Sequence, residues 1–204
     1  LYRKIYYNMD RKAFLKTSIL GLSIFPILKL HAMLDLSVTP EEFYFEDDGI
    51  IPNSKFPLLI YKNAFSARGN EGANWLEKKF KTNNWYNSWR WGIYPFHHYH
   101  STSHEVLGCF QGNAKVHMGG PNGKILEISA GDILVIPAGV GHKCISHSDN
   151  FTVVGAYPNG MDYDLIKEEK AKHAQSLKNI AKVPFPTNDP LLGNTDGLKS
   201  IWKK

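Results

Sequence analysis

Short apolar runs broken by turn residues dominate the middle of the chain. From Trp85 to Tyr157, β-prone stretches are separated by "GGPNG" (119–123), "SAGD" (129–132), "PAGVG" (137–141) and "HSDN" (147–150). Strands recurring at such intervals predict an antiparallel sandwich or barrel. "PLLIYKNAF" (57–65) predicts a further strand, preceded by an acidic, turn-rich stretch that reads as an extended arm. Two helical patterns flank the β-rich region. Residues 71–81 place Trp75, Leu76 and Phe80 at helical spacing. Residues 162–182 carry acids early, lysines late and an apolar side of Leu165, Ala171, Ala174, Leu177 and Ile180. The tail is rich in Pro and Gly, but Phe185, Leu191, Leu192, Ile201 and Trp202 predict that it packs across the domain.

Length and charge refine this picture. A chain of 204 residues with 43% hydrophobic and 21% charged residues suits one domain with a proper core. The formal charge of +5 is unevenly spread. Of 24 Lys+Arg and 19 Asp+Glu, six and one lie within residues 1–32, which leaves the body balanced. The body therefore lacks the electrostatic footprint of a nucleic-acid binder. No apolar run reaches membrane-spanning length. From Met9, the basic residues Arg11, Lys12 and Lys16 precede an apolar stretch from Ile19 to Leu28. That layout predicts an export leader over residues 1–32 and a periplasmic destination, by a general secretory or twin-arginine-like route. "DRKAFLK" carries Lys12 where a twin-arginine signal has its second arginine. The alternative is an amphipathic helix of a protein that stays in the cytoplasm. Residues 33–204 are read as a single domain with its core barrel over about 85–157. Cys109 and Cys144 form neither a C-x-x-C pair nor a disulfide framework.

"HHYHSTSHEVLG" (97–108) concentrates four histidines and a glutamate. His104-Glu105 opens an H-E-x-x-H pattern, but Gly108 stands where the second helical zinc ligand must be. On a strand, residues i and i+2 share a face, so His98 and His100 project together and His97 and Tyr99 point the other way. A short turn through "STSH" returns Glu105 beside them. His142, just after "GDILVIPAG", is the candidate for a further ligand.

Gly92, His98-Tyr99-His100, Glu105 and Gly112 stand at the spacing of the first cupin motif. Gly131, Pro137-Ala138-Gly139 and His142 stand at that of the second, with 18 residues between the two. Ser146 occupies the place where the second motif commonly ends in Asn. The chain thus resembles the cupins. "WRWGIYPFHHYHSTSHEVLG", "PAGVGHK" and "VVGAYPNG" resemble the bacterial YjlB-like subgroup of single-domain cupins. The resemblance implies an antiparallel jelly-roll β-barrel, here with added N-terminal and C-terminal helices. It implies one divalent transition metal ion held by His98, His100, Glu105 and His142. Ligand type alone leaves Fe, Mn, Ni, Zn, Co and Cu open. It also implies a homodimer, which the aromatic strand around Trp85, Tyr86, Trp89 and Trp91 would suit.

Around this site, His104 is expected to orient a ligand or line the rim, or to be a plain loop residue. Tyr94 and Arg90 share the parity of His98 along an unbroken strand, although Pro95 offers a place for a bulge that breaks it. An inward Arg90 would suit an anionic substrate, and an outward one a surface ion pair. His97 is expected to face away from His98 as a structural or surface residue, His117 to lie on a polar face, and both cysteines to point inward as small apolar filler.

Three function classes follow. The first is a metal-dependent enzyme on a small organic molecule, either oxygenase-like or a sugar or keto-acid isomerase or lyase. The second is a non-catalytic binder of a small ligand or metal. The third is a storage-type cupin with a vestigial site. The fold alone does not choose.

Overall fold

A computed structural model describes residues 38–203, all in one compact unit. The predicted leader over residues 1–32 lies outside the described residues. Eleven strands form two antiparallel sheets. In chain order they are β1 (Glu41–Phe45), β2 (Ser54–Tyr61), β3 (Trp85–Trp91), β4 (His98–Tyr99), β5 (Glu105–Gln111) and β6 (Asn113–Met118). Then come β7 (Lys124–Ser129), β8 (Ile133–Ile136), β9 (His142–His147), β10 (Thr152–Pro158) and β11 (Ile166–Lys167). One sheet runs β1-β2-β8-β5-β10-β3 and the other β11-β4-β9-β6-β7. No ladder joins the two among the described residues, so the expected jelly roll is seen as two separate antiparallel sheets.

Alternation along β5 shows how the six-stranded sheet serves two cores. Leu107 and Cys109 enter a buried cluster with Ala114, Val116, Met118 and Cys144 of the facing sheet. Val106 and Phe110 enter a second cluster on the opposite face. That outer cluster is covered by helix α1 (Gly69–Thr82), which buries Ala73, Leu76 and Phe80. The tail closes over the same face through Leu191, Leu198 and Trp202. The Trp202 indole N–H donates to the Pro57 carbonyl at 2.9 Å. The Tyr61 hydroxyl donates to Asp189 at 2.5 Å. Burying each large side chain here is worth about 1.5–3 kcal/mol, which is why a Pro/Gly-rich tail stays in place.

The arm before β2 becomes the edge strand β1. The C-terminal helical pattern is only partly realised. Residues 162–165 carry no regular structure, and Ile166 and Lys167 form β11, paired with Tyr99 and His98 of β4. A 3-10 turn (Lys170–Lys172) and a short helix α2 (His173–Ile180) follow. Asp164 explains the shortfall: its carboxylate accepts the backbone N–H of Ser101 at 2.6 Å and of Thr102 at 3.2 Å. Those bonds draw the segment onto the β4–β5 turn, so the helix starts only at His173, eleven residues later than expected. A last short helix, α3, spans Leu198–Ile201. Among the described residues, no helix is long and apolar enough to cross a membrane.

Candidate metal centre

At one end of the two-sheet interior the apolar filling gives way to histidines. β4 and β9 pair antiparallel, with His98 directly opposite His142. Their rings are 4.0 Å apart between centroids. His100 follows two residues after His98. The turn that delivers His142 needs Gly139, whose φ is +93°. A Cβ there would lie 2.2 Å from the Asn53 carbonyl oxygen. One ring nitrogen from each of His98, His100 and His142 lies within 4.8 Å of the others. Glu105 comes from the facing sheet, at the start of β5. Its Oε2 is 3.6 Å from His100 Nε2 and 3.4 Å from His142 Nε2. All four side chains are buried.

Hydrogen bonds to Nδ1 fix the roles of the three rings. His98 Nδ1 faces the Phe96 carbonyl at 3.2 Å, and His142 Nδ1 the Val140 carbonyl at 3.1 Å. His100 Nδ1 is held against the Asp164 carbonyl. A carbonyl can only accept, so each Nδ1 carries the hydrogen and each Nε2 is left as the potential donor to a metal. Glu105 is oriented in the same manner. The Tyr157 hydroxyl donates to its Oε1 at 3.0 Å and accepts the Trp89 indole N–H at 2.9 Å. Trp89 crosses β10 at Gly155, where a Cβ would meet the indole at 2.2 Å.

Electrostatics separate the four groups. Burial, helped by the neighbouring His142, pushes His98 down to about 2, so this imidazole is neutral. Burial acts downward on His100, but the Glu105 charge and hydrogen bond, together with the Asp164 carbonyl and carboxylate, outweigh it and hold His100 above the ordinary value. Burial alone would raise Glu105; His100 and His142 overcome it and keep the carboxyl well below the usual range. Burial and the Glu105 charge push the Tyr157 hydroxyl far up, so it remains a donor. Three Nε2 donors and one ionised carboxylate form a donor set suited to a divalent transition metal.

A cavity of about 190 Å³ opens over these groups. Its walls include Trp89, Trp91, Ile93, Tyr94, Tyr163 and Leu165. The predicted candidates divide around it. Tyr94 lines it, with its ring 5.1 Å from that of His98. Arg90 does not. Its guanidinium forks onto Glu77 of α1 at 2.7 and 2.8 Å and also reaches Asn74. β3 ends at Trp91, and the irregular stretch 92–97 breaks the parity that linked Arg90 to His98.

His104 is also directed away from the cavity. Its Nδ1 accepts the Ala138 backbone N–H at 2.9 Å, and its ring packs 5.0 Å from Trp202. It borders a separate cleft of about 840 Å³ between the β1–β2 segment and α2. The His97 ring lies 4.9 Å from that of His117, and among the described residues neither of its ring nitrogens has a partner. Cys109 and Cys144 are buried in the inner apolar cluster.

Tyr157, Tyr163 and Asp164 were not among the sequence candidates. Alternation along β10 carried a signal for Tyr157, because the inward Val153 sets the parity of residue 157. Tyr163 and Asp164 lie beyond the strand, where periodicity gives no direction.

The family model described as Cupin matches residues 91–177. The chain belongs to the cupin family. Within it the chain falls in the YjlB-like group: it is 41% identical over 165 residues to the uncharacterized protein YjlB of Bacillus subtilis (strain 168). That match covers 80% of this chain and 97% of YjlB. Among solved structures, procruciferin, an 11S globulin from Brassica napus, is 22% identical over 39% of this chain and 21% of its own, with a TM-score of 0.33. An oxalate decarboxylase of Bacillus subtilis is 18% identical over 57% of this chain and 29% of its own, also at 0.33. The chain thus spans less than a third of either structure, and likenesses this loose bear no functional argument.

Proposed function

We propose that this cupin binds one divalent transition metal ion through His98, His100, His142 and Glu105 and is a metal-dependent enzyme of oxygenase type acting on a small organic molecule. One observation carries the metal assignment: each of the three Nδ1 atoms is committed to a carbonyl, and the Nε2 atoms converge beside an ionised carboxylate. The ion would supply Lewis-acid polarisation of a bound donor atom or redox activation of dioxygen. The chain's own part is to orient Glu105 through Tyr157, keep the His98 imidazole neutral and exclude water with aromatic walls.

The lining also favours oxygenase-type chemistry over an isomerase or lyase. Apart from the proposed ligands, its titratable side chains are Tyr94, Tyr157 and Tyr163. Isomerisation of a sugar or keto acid needs a base free to move a proton, and among the described residues no spare carboxylate, imidazole or amine borders the cavity. A non-catalytic binder of a small ligand fits the same lining. Export by the leader and assembly as a homodimer belong to the same proposal; the basic-then-apolar pattern from Arg11 to Leu28 supports the first and the cupin resemblance the second.

Metal analysis of protein purified without chelator, followed by oxygen uptake with a panel of phenols, thiols and small acids, tests the proposal. About one metal per chain and substrate-dependent oxygen uptake support it. Metal without turnover, with a ligand that raises the melting temperature, supports the binder. Absence of stoichiometric metal contradicts both.

A further inference from the structure

Resting on the metal-centre reading above, the geometry points to a substrate class: a flat, single-ring aromatic molecule bearing hydroxyl oxygen, rather than a dicarboxylate or a sugar acid. Charge is the first argument. Among the described residues no Lys or Arg borders the cavity, and Arg90 is paired with Glu77 outside it. A divalent ion with three neutral imidazoles and one carboxylate has a single net positive charge. A dianion would therefore bring a charge that no protein cation offsets. A polyol fares no better, because among the described residues tyrosine hydroxyls are the only polar side-chain groups in the lining besides the proposed ligands and the Trp indoles.

The second argument is the shape and chemistry of the walls. Two aromatic pairs, from different segments of the chain, each border one histidine of the centre. Trp91 and Tyr94 meet edge to face at 5.3 Å, with Tyr94 against His98. Tyr157 and Tyr163 stack at 4.4 Å, with the Tyr163 ring 4.8 Å from that of His100. Trp91 is 61% exposed and Tyr163 47%, so large apolar rings stand open at the mouth. Exposed rings at a cavity mouth are what a ligand ring would cover. Size agrees. The cavity holds about 190 Å³, and an apolar void of roughly 150 Å³ accommodates benzene. One ring fits within it.

Zinc-loaded protein separates binding from turnover. Calorimetric titration with catechol and with oxalate gives a ratio of affinities, measured in the wild type and in a Trp91→Ala/Tyr163→Ala variant. Taking the ratio within each protein cancels the intrinsic preference of zinc for either chelator. Loss of two ring contacts is expected to lower the catechol-to-oxalate ratio by about tenfold while zinc content stays at the wild-type level. A ratio that changes by less than about twofold, with zinc retained, overturns the substrate class and leaves the metal centre standing. Failure of the wild type to take up zinc overturns the metal-centre reading itself.

Discussion

Two sets of histidines interleave along the chain between residues 97 and 142 and behave differently. His98, His100 and His142 point between the sheets; His97, His104 and His117 point elsewhere. Burial does not distinguish them, since His97 and His104 are as deeply buried as His98. Neutrality does not either. Burial, joined by Lys143 and His117, pushes His97 to about 4, and burial alone pushes His104 to about 3. The difference lies in which nitrogen is occupied. In the inner set Nδ1–H donates to a carbonyl and Nε2 converges with its neighbours. In His104 the roles reverse, since Nδ1 accepts a backbone N–H. The proposed metal centre thus rests on strand parity and carbonyl placement, not on histidine density.

Substitution breaks the comparison most sharply. His98→Ala or His142→Ala is expected to reduce bound metal from about one per chain to less than a tenth, whereas His97→Ala leaves it near one. Metal content by mass spectrometry after dialysis checks this. Next in size is metal removal. With free metal at about 1,000 times its Kd, binding adds roughly 4 kcal/mol to stability. At about 2–4 °C per kcal/mol for a chain of this size, chelation lowers Tm by roughly 8–16 °C. The same drop is expected for His97→Ala and none for His98→Ala, by calorimetry.

Smaller effects sharpen the contrast. Tyr157→Phe frees Glu105 from its orienting hydrogen bond, and loss of such a partner weakens metal affinity by about 10–100-fold. A competition assay with a chromophoric chelator reads this. pH acts through His100. Its raised pKa means that the metal-free protein holds a proton that the ion must displace. Affinity therefore rises with pH up to that pKa and falls about tenfold per unit below it. The neutral His98 adds no proton to that count over the same range. The mildest change is His104→Ala: it strands the Ala138 N–H at a cost of about 1–3 kcal/mol in denaturant unfolding, with metal content unaltered.

Much of this arrangement is legible in the sequence. The spacing around His98-Tyr99-His100 and Glu105 carries the shared face of the two imidazoles, because a strand alternates strictly. The Pro/Gly turn before His142 carries its delivery to the same end. Alternation failed where the backbone is irregular. Arg90 could not be aimed across the segment 92–97, and Tyr163 sits in a loop after β10. The pattern of residues 162–182 overstated the helix because Asp164 bonds to the β4–β5 turn, a long-range contact that local periodicity does not register. His104 shows the same limit: its partners, Ala138 and Trp202, are distant in sequence.

Crystals of the full chain grown with zinc, with diffraction collected on both sides of its absorption edge, test the central claim most directly. The account predicts one anomalous peak about 2.0–2.2 Å from the Nε2 atoms of His98, His100 and His142 and from a Glu105 carboxylate oxygen. A peak bound instead through Nδ1, a peak at the His97–His117 pair, or no peak between the sheets would contradict it.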